Sequence, residues 1–257
     1  MLFVIEKEKN MIKFEDIEFE KSVMDERYHI AVPVIVTQHA DGETELLVYS
    51  FCGESAKEFE ARFGASPFSA DAKAFLCEKL TPVMNDAGYE PSELSDRINI
   101  TYQMTDAAMI NKDCFKGRAK LLDRLTEKDM KNSDTEIYAF EIDTENELDR
   151  IFAVYGKEKE IAAFAAINDI SDDDGFYELN VECAEAYRCQ GYASECVAEL
   201  AKYLLDRGVP VEYICEEINL PSVKTAEKVG FALTKKTMPF VCYRIDDEED
   251  EEEEISF

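Results

Sequence analysis

The chain has 257 residues, 57 acidic and 28 basic, for a formal net charge of −29. Such a surface repels nucleic acid and anionic membrane, because phosphate contact requires neutralisation by Lys and Arg, and it attracts cationic small molecules and basic peptides. Hydrophobic residues make up 46% of the chain, enough for a sizeable core, yet no apolar run approaches the roughly 18–20 residues of a membrane span.

The N-terminus, M-L-F-V-I-E-K-E-K, turns charged early and does not read as a signal peptide. The 8 cysteines show no paired metal-like spacing. Cys77, Cys196, Cys215 and Cys242 sit in apolar runs, as buried free thiols do. A cytoplasmic, reducing setting without disulfides fits this usage. With 2 histidines and no C-x-x-C pair, no metal is expected.

Residues 1–28 have no clear period, and Phe14, Ile17 and Phe19 hint at one short element. Residues 29–37 (H-I-A-V-P-V-I-V-T) are β-branched and predict a strand. Pro33 within it predicts an edge position or a bulge. Asp41-Gly42 marks a turn, and residues 45–51 predict the returning strand of a hairpin. Ser55 with Glu58 reads as a capping box and Gly64 as a stop. Ser69 caps a second helix carrying Ala74, Phe75, Leu76, Leu80 and Val83, which Pro82 kinks or shortens. Residues 85–91 are turn-rich. Residues 98–104 alternate as a half-buried strand. Together these make an α+β module over residues 1–110, without a catalytic motif. Residues 105–117 form the junction.

Beyond it, 118–129 reads as a strand, with Thr126 capping the next segment, and residues 130–150 leave limited room for helices. Residues 151–155 and 161–170 predict a hairpin, 172–175 a turn, and 176–183 a third strand. Then comes Y-R-C-Q-G-Y-A-S, residues 187–194, opening a helix to about 207. Its stripe is Ala193, Cys196, Val197, Leu200 and Leu204, and Gly208 and Pro210 end it. A strand, a glycine turn and a helix N-terminus together make a phosphate site. The first helical N–H groups lack intrahelical partners, the dipole adds positive charge, and Gly191 admits a close ligand. Residues 211–215 predict a strand, 221–229 a helix stopped by Gly230, and 240–245 the last strand. Residues 246–257, with nine consecutive acids, predict a disordered tail.

Arg188-Cys189-Gln190-Gly191-Tyr192-Ala193 is similar to the [Q/R]-x-x-G-x-[G/A] signature of the GNAT superfamily of acetyl-CoA-dependent N-acetyltransferases. Asn219, Ser222 and the closing Gly230-Phe231 resemble the family's second element. The resemblance covers about 118–245. It implies an α+β fold with a mixed, splayed central sheet flanked by helices, preceded here by the smaller N-terminal domain.

It also implies a chemistry. Acetyl-CoA is the co-substrate, without a metal. Pantetheine lies along Val181, Glu182 and Cys183, beside Asn219 and Ser222. The pyrophosphate takes N–H groups from Cys189, Gln190, Gly191, Tyr192, Ala193 and Ser194, near Arg188. A backbone N–H around Val181 holds the oxyanion. A base frees the amine's lone pair. Glu178 and Tyr177 are the candidates, with Asn219 able to hold a catalytic water. The tyrosine many members carry seven residues after the Asn is Ala226 here. The expected activity is acetyl transfer to an amine, a small cation or a basic protein, in a ternary complex. A homodimer is left open. The alternative is an acyl-CoA-binding or degenerate module that acts as a sensor or interaction domain.

Overall fold

The computed structural model describes residues 13–17, 30–49, 53–93, 97–127, 129, 135–137, 140–143, 145–171 and 175–245. The expected tail, the turn at 172–174, Phe19 and part of 130–150 lie outside these residues. The chain divides into two compact units, one of Met1–Asn99 with Lys235–Phe257, the other of Ile100–Thr234.

In the first unit, strand order is β1 (Lys13–Ile17), β3 (Thr44–Tyr49), β2 (Ile30–His39) and β11 (Ala232–Arg244), with β4 (Tyr89–Pro91) also on β11. Gly42, at φ 91°, closes the β2–β3 hairpin. Pro33 does not mark an edge, because β2 pairs on both sides. It marks a bulge. Phe240 faces Val34 and Cys242 faces Ala31, so Val32 and Pro33 together oppose Val241. The extra residue resets the alternation, which is why Ala31, Val34 and Val36 are all buried.

Two helices cover this sheet. α1 (Gly53–Phe63) begins before Ser55, which therefore lies in the first turn instead of capping it. α2 (Ala70–Asp86) is capped by Ser69, whose hydroxyl accepts the Ala72 N–H at 3.3 Å. It runs through Pro82 rather than stopping there. Ala72, Phe75, Leu76, Leu80 and Met84 face the core, while Ala74, Cys77 and Val83 face out. Cys77 is thus an exposed thiol, unlike the buried Cys196, Cys215 and Cys242. Residues 85–91 are not only turn, since β4 pairs Tyr89 to Pro91 with Arg244 to Cys242.

In the second unit the order is β5 (Asn99–Met104), β10 (Val211–Glu216), β9 (Tyr177–Cys183), β8 (Ile161–Ile170), β7 (Ile151–Tyr155) and β6 (Lys120–Leu122). The strand read with the N-terminal module, β5, thus borders β10. β6 to β9 are antiparallel neighbours, and β9–β10 are parallel. Both faces of β7 and β8 are covered. Phe152, Val154, Ala163 and Ala165 join one core, and Ile151, Ala153, Ile161, Phe164 and Ala166 another with Ile137. That explains their unbroken apolar runs.

α3 (Tyr192–Leu205) buries Cys196, Val197, Leu200, Ala201 and Leu204 completely. A Leu200→Ala change there costs about 2–5 kcal/mol. α4 (Leu220–Val229) follows β10. Gly230 ends it at φ 109°, and a Cβ there would lie 2.4 Å from the Met109 carbonyl oxygen. The segment after β5 crosses at this point. The Asn111 N–H donates to the Val229 carbonyl at 2.8 Å, and its Nδ2 donates to the Lys228 carbonyl at 3.1 Å. β11 starts directly after α4 and is much longer than the 240–245 strand expected from the sequence.

Candidate active site

β9 and β10 pair only at their beginnings, Tyr177 with Val211 and Glu178 with Glu212. Past these residues the strands splay. Into the gap opens a cleft of about 480 Å³. Its walls are the end of β9, the glycine turn, Tyr213 of β10 and one face of α4.

Of the residues expected to meet acetyl-CoA, Val181, Glu182, Cys183, Arg188, Cys189, Gly191, Tyr192, Ala193, Ser194, Asn219 and Ser222 all line this cleft. Gln190 does not. Its Nε2 donates back to the Ala186 carbonyl at 3.2 Å, and it borders a neighbouring cavity of about 430 Å³.

Backbone conformation makes the turn. Cys189 has φ 61° and Gly191 φ 77°, both left-handed, and Gly191 caps α3 with no side chain of its own. The first N–H groups of α3 are therefore left facing the cleft side. Arg188 spans the turn's base, its Nε donating to the Cys183 carbonyl at 3.3 Å.

A buried carboxylate fixes the other flank. Glu195 is 0% exposed and accepts N–H groups from Arg118 at 2.6 Å and Ala119 at 3.2 Å, and the Arg118 Nε at 2.6 Å. Burial pushes its pKa up, but these donors and the guanidinium outweigh it and hold it below the usual carboxylate range. The Arg118 guanidinium also lies 4.4 Å from the Tyr192 ring centre, and Tyr192 stacks on Tyr187 at 5.9 Å. Tyr187 in turn donates to Glu160 of the β7–β8 hairpin.

The expected catalytic residues separate. Asn219 lines the cleft and caps α4, its side chain accepting the Ser222 N–H at 3.3 Å. Tyr177 and Glu178 lie at the paired end of β9, outside the cleft lining. Tyr177 packs against the core with Val181. Glu178 accepts Asn168 Nδ2 at 3.1 Å. Burial raises its pKa, and Glu212 and Asp169 add to the rise. Ala226 is wholly buried in the core.

Six residues that line the cleft lie outside the expected set, Tyr187, Tyr213, Pro221, Lys224, Thr225 and Lys228. Tyr213 is 2% exposed, bonds with the Ser222 side chain and is pushed up to about 12 by burial, so it stays protonated. Thr225, Lys224 and Lys228 come from α4. Lys224, Thr225 and Lys228 lie two, three and six residues past Ser222, but a reading of this helix by its start at Asn219 and its stop at Gly230 does not show which way they face.

Residues 118–231 match the family model described as Acetyltransferase (GNAT) family. No curated protein matches the chain. Among solved structures, the chain is similar to an acetyltransferase from the GNAT family of Colwellia psychrerythraea, at 19% identity over 37% of this chain and 35% of that one, TM-score 0.31. The chain thus spans about a third of that protein. It is also similar to a GCN5-related N-acetyltransferase-like protein from Streptococcus suis, at 20% identity over 66% and 68%, TM-score 0.40. A GCN5-related N-acetyltransferase from Sphaerobacter thermophilus is similar at 14% identity over 65% and 56%, TM-score 0.42. From glycine turn to α4, the cleft falls inside the matched stretch, and residues 118–231 are a GNAT-family acetyltransferase domain.

Proposed function

We propose that this domain transfers an acetyl group from acetyl-CoA to an amine, directly within a ternary complex. The splay of β9 from β10 over a cleft that ends on the α3 N-terminus carries this reading. On the side that β10 has left, the backbone of residues 181–183 suits the amides of an extended pantetheine, apart from the Cys183 carbonyl, which Arg188 takes. The N–H groups of the turn suit a pyrophosphate, and a free N–H near Val181 suits the oxyanion.

Glu178 is the better candidate base. Its raised pKa moves it toward neutrality, where a base accepts a proton most effectively. It sits three residues from Val181, roughly 10 Å along a strand, so the amine's proton travels through water. Tyr213 presents a neutral hydroxyl to the cleft and can donate to the departing thiolate. The acidic chain favours a cationic acceptor.

Ala226 supports a second reading, an acyl-CoA binder without turnover, since no acid stands at that position. Calorimetric titration of the full chain with acetyl-CoA and CoA, followed by an amine screen, separates the two. Binding with transfer supports the enzyme, and binding without transfer to any amine supports the binder. No heat with either thioester or thiol overturns both.

A further inference from the structure

The turn before α3 has a backbone shape that its surroundings must hold. Cys189 and Gly191 are both left-handed, and a residue with a Cβ, such as Cys189, keeps that conformation only where neighbours fix it. Many of the turn's bonds are local and move with it. The Tyr187 N–H donates to the Ala184 carbonyl at 2.9 Å, the Arg188 N–H to the Glu185 carbonyl at 3.2 Å, and the Gln190 side chain to the Ala186 carbonyl. From outside, Arg118 Nη1 donates to the Gln190 carbonyl at a long 3.4 Å, and the Tyr187 hydroxyl donates to the Glu160 carboxylate. That second bond lowers the Glu160 pKa, so the acceptor is charged at neutral pH. The β7–β8 hairpin leaves room for it. A Cβ at Gly156 would overlap both the Glu160 carboxylate and the Tyr187 hydroxyl. Gly156 is not left-handed, so the hairpin needs glycine there for space and not for φ. Residues 156, 160 and 187 thus agree on one contact.

We infer that Tyr187 is a positioning residue for the proposed acetyl-CoA site: its hydroxyl, held on Glu160 in the space that Gly156 leaves, fixes the turn in the shape whose N–H groups suit a diphosphate. This rests on the acyl-CoA reading above. Without the clamp the turn spends part of its time in other shapes, and affinity falls with the fraction of molecules that are competent to bind. Tyr187 itself lines the cleft, so a change there mixes positioning with direct contact. Gly156 borders the neighbouring cavity and not the cleft. A change at 156 therefore reaches the cofactor through the clamp.

The test is calorimetric titration of the full chain with acetyl-CoA, for the unaltered protein, Tyr187→Phe, Gly156→Ala and the two changes combined. Tyr187→Phe keeps the ring stacked on Tyr192 and removes the hydroxyl. Gly156→Ala displaces the Glu160 carboxylate, the far end of a flexible side chain, and breaks the same bond from the hairpin. Each single variant is expected to bind acetyl-CoA about fivefold more weakly, in line with one hydrogen bond. The double variant is also expected at about fivefold, because one bond is lost only once. Losses that multiply to roughly twenty-fivefold overturn the inference, since independent packing effects would combine that way. Unchanged affinity in either single variant overturns it too and leaves the acyl-CoA reading standing. Glu160→Ala takes the place of Gly156→Ala in the cycle if the latter lowers the melting curve. No binding by the unaltered protein overturns the acyl-CoA reading, and the inference with it.

Discussion

The two ends of β9 differ in closure and in charge. At its start β9 is hydrogen-bonded on both sides, and Asp169, Glu178 and Glu212 stand in register on three adjacent strands. At its end β10 has left, and the opening is lined by Arg188, Lys224 and Lys228. Carboxylates of three strands thus gather where the sheet is closed, and cations of the turn and α4 gather where it is open. The proposed donor enters where pairing is lost, because backbone without a strand partner can bond a guest. The sorted charges then suit an anionic donor at one end and a cationic acceptor at the other.

Breaking the open end has the largest expected effect. Gly191→Glu puts a carboxylate against the turn and forces a side chain into φ 77°. Acetyl-CoA binding is expected to fall by about a hundredfold or more, from lost contacts and charge repulsion together, with calorimetry as the measure. Retained affinity would put the pyrophosphate elsewhere.

Glu178→Gln breaks the closed end. With Glu178 as base, kcat/KM falls about a hundredfold while acetyl-CoA affinity holds. Stability moves the other way. A carboxyl whose folded pKa is raised costs stability above its unfolded value, and the cost disappears as pH falls through the folded value. The Gln variant should therefore be slightly more stable at neutral pH and equally stable in acid, as urea unfolding at the two pH values would read. Unaltered kinetics would return the role of base to Tyr177 or to water.

Glu195→Gln loosens the frame of the turn. The ion pair with Arg118 is lost on a fully buried group, at about 2 kcal/mol. Because the Glu195 pKa is lowered, its contribution is present above the ordinary carboxylate range and lost as pH falls through the folded value. The difference between the two proteins in urea unfolding should thus narrow below roughly pH 4. A gap that persists in acid would assign the loss to packing.

The smallest effect sharpens the comparison. Tyr213→Phe keeps the cleft wall and removes one donor, so turnover is expected to drop about tenfold with acetyl-CoA affinity unchanged. Steady-state rates over a range of acetyl-CoA concentrations separate the two. An unchanged turnover would make Tyr213 a wall and nothing more.

Much of the open end was legible in the residues. Gly191 after a strand and before an amphipathic helix carries its own physical reason, and eleven of the twelve expected cofactor-side residues line one cleft. Gln190 escaped because a side chain's direction in a turn depends on local hydrogen bonds, here to the Ala186 carbonyl. Lys224 and Lys228 looked like ordinary solvated positions, since what they face is decided by the crossing of α4 over the turn. The long β11 was hidden by Lys235, Lys236 and Pro239, which read as loop until β2 supplies a partner. Pro33 illustrates the same limit. Its chemistry announced an irregularity, while the choice between edge and bulge belonged to β11.

β11 also sets an order of events during synthesis. Its residues from Lys235 onward pair with β2 and β4, strands made at the beginning of the chain. A ribosome must finish all of Ile100–Thr234 before the first unit receives its missing strand. β2 and β4 emerge earlier, yet their pairing with β11 waits until the stretch between them has been translated.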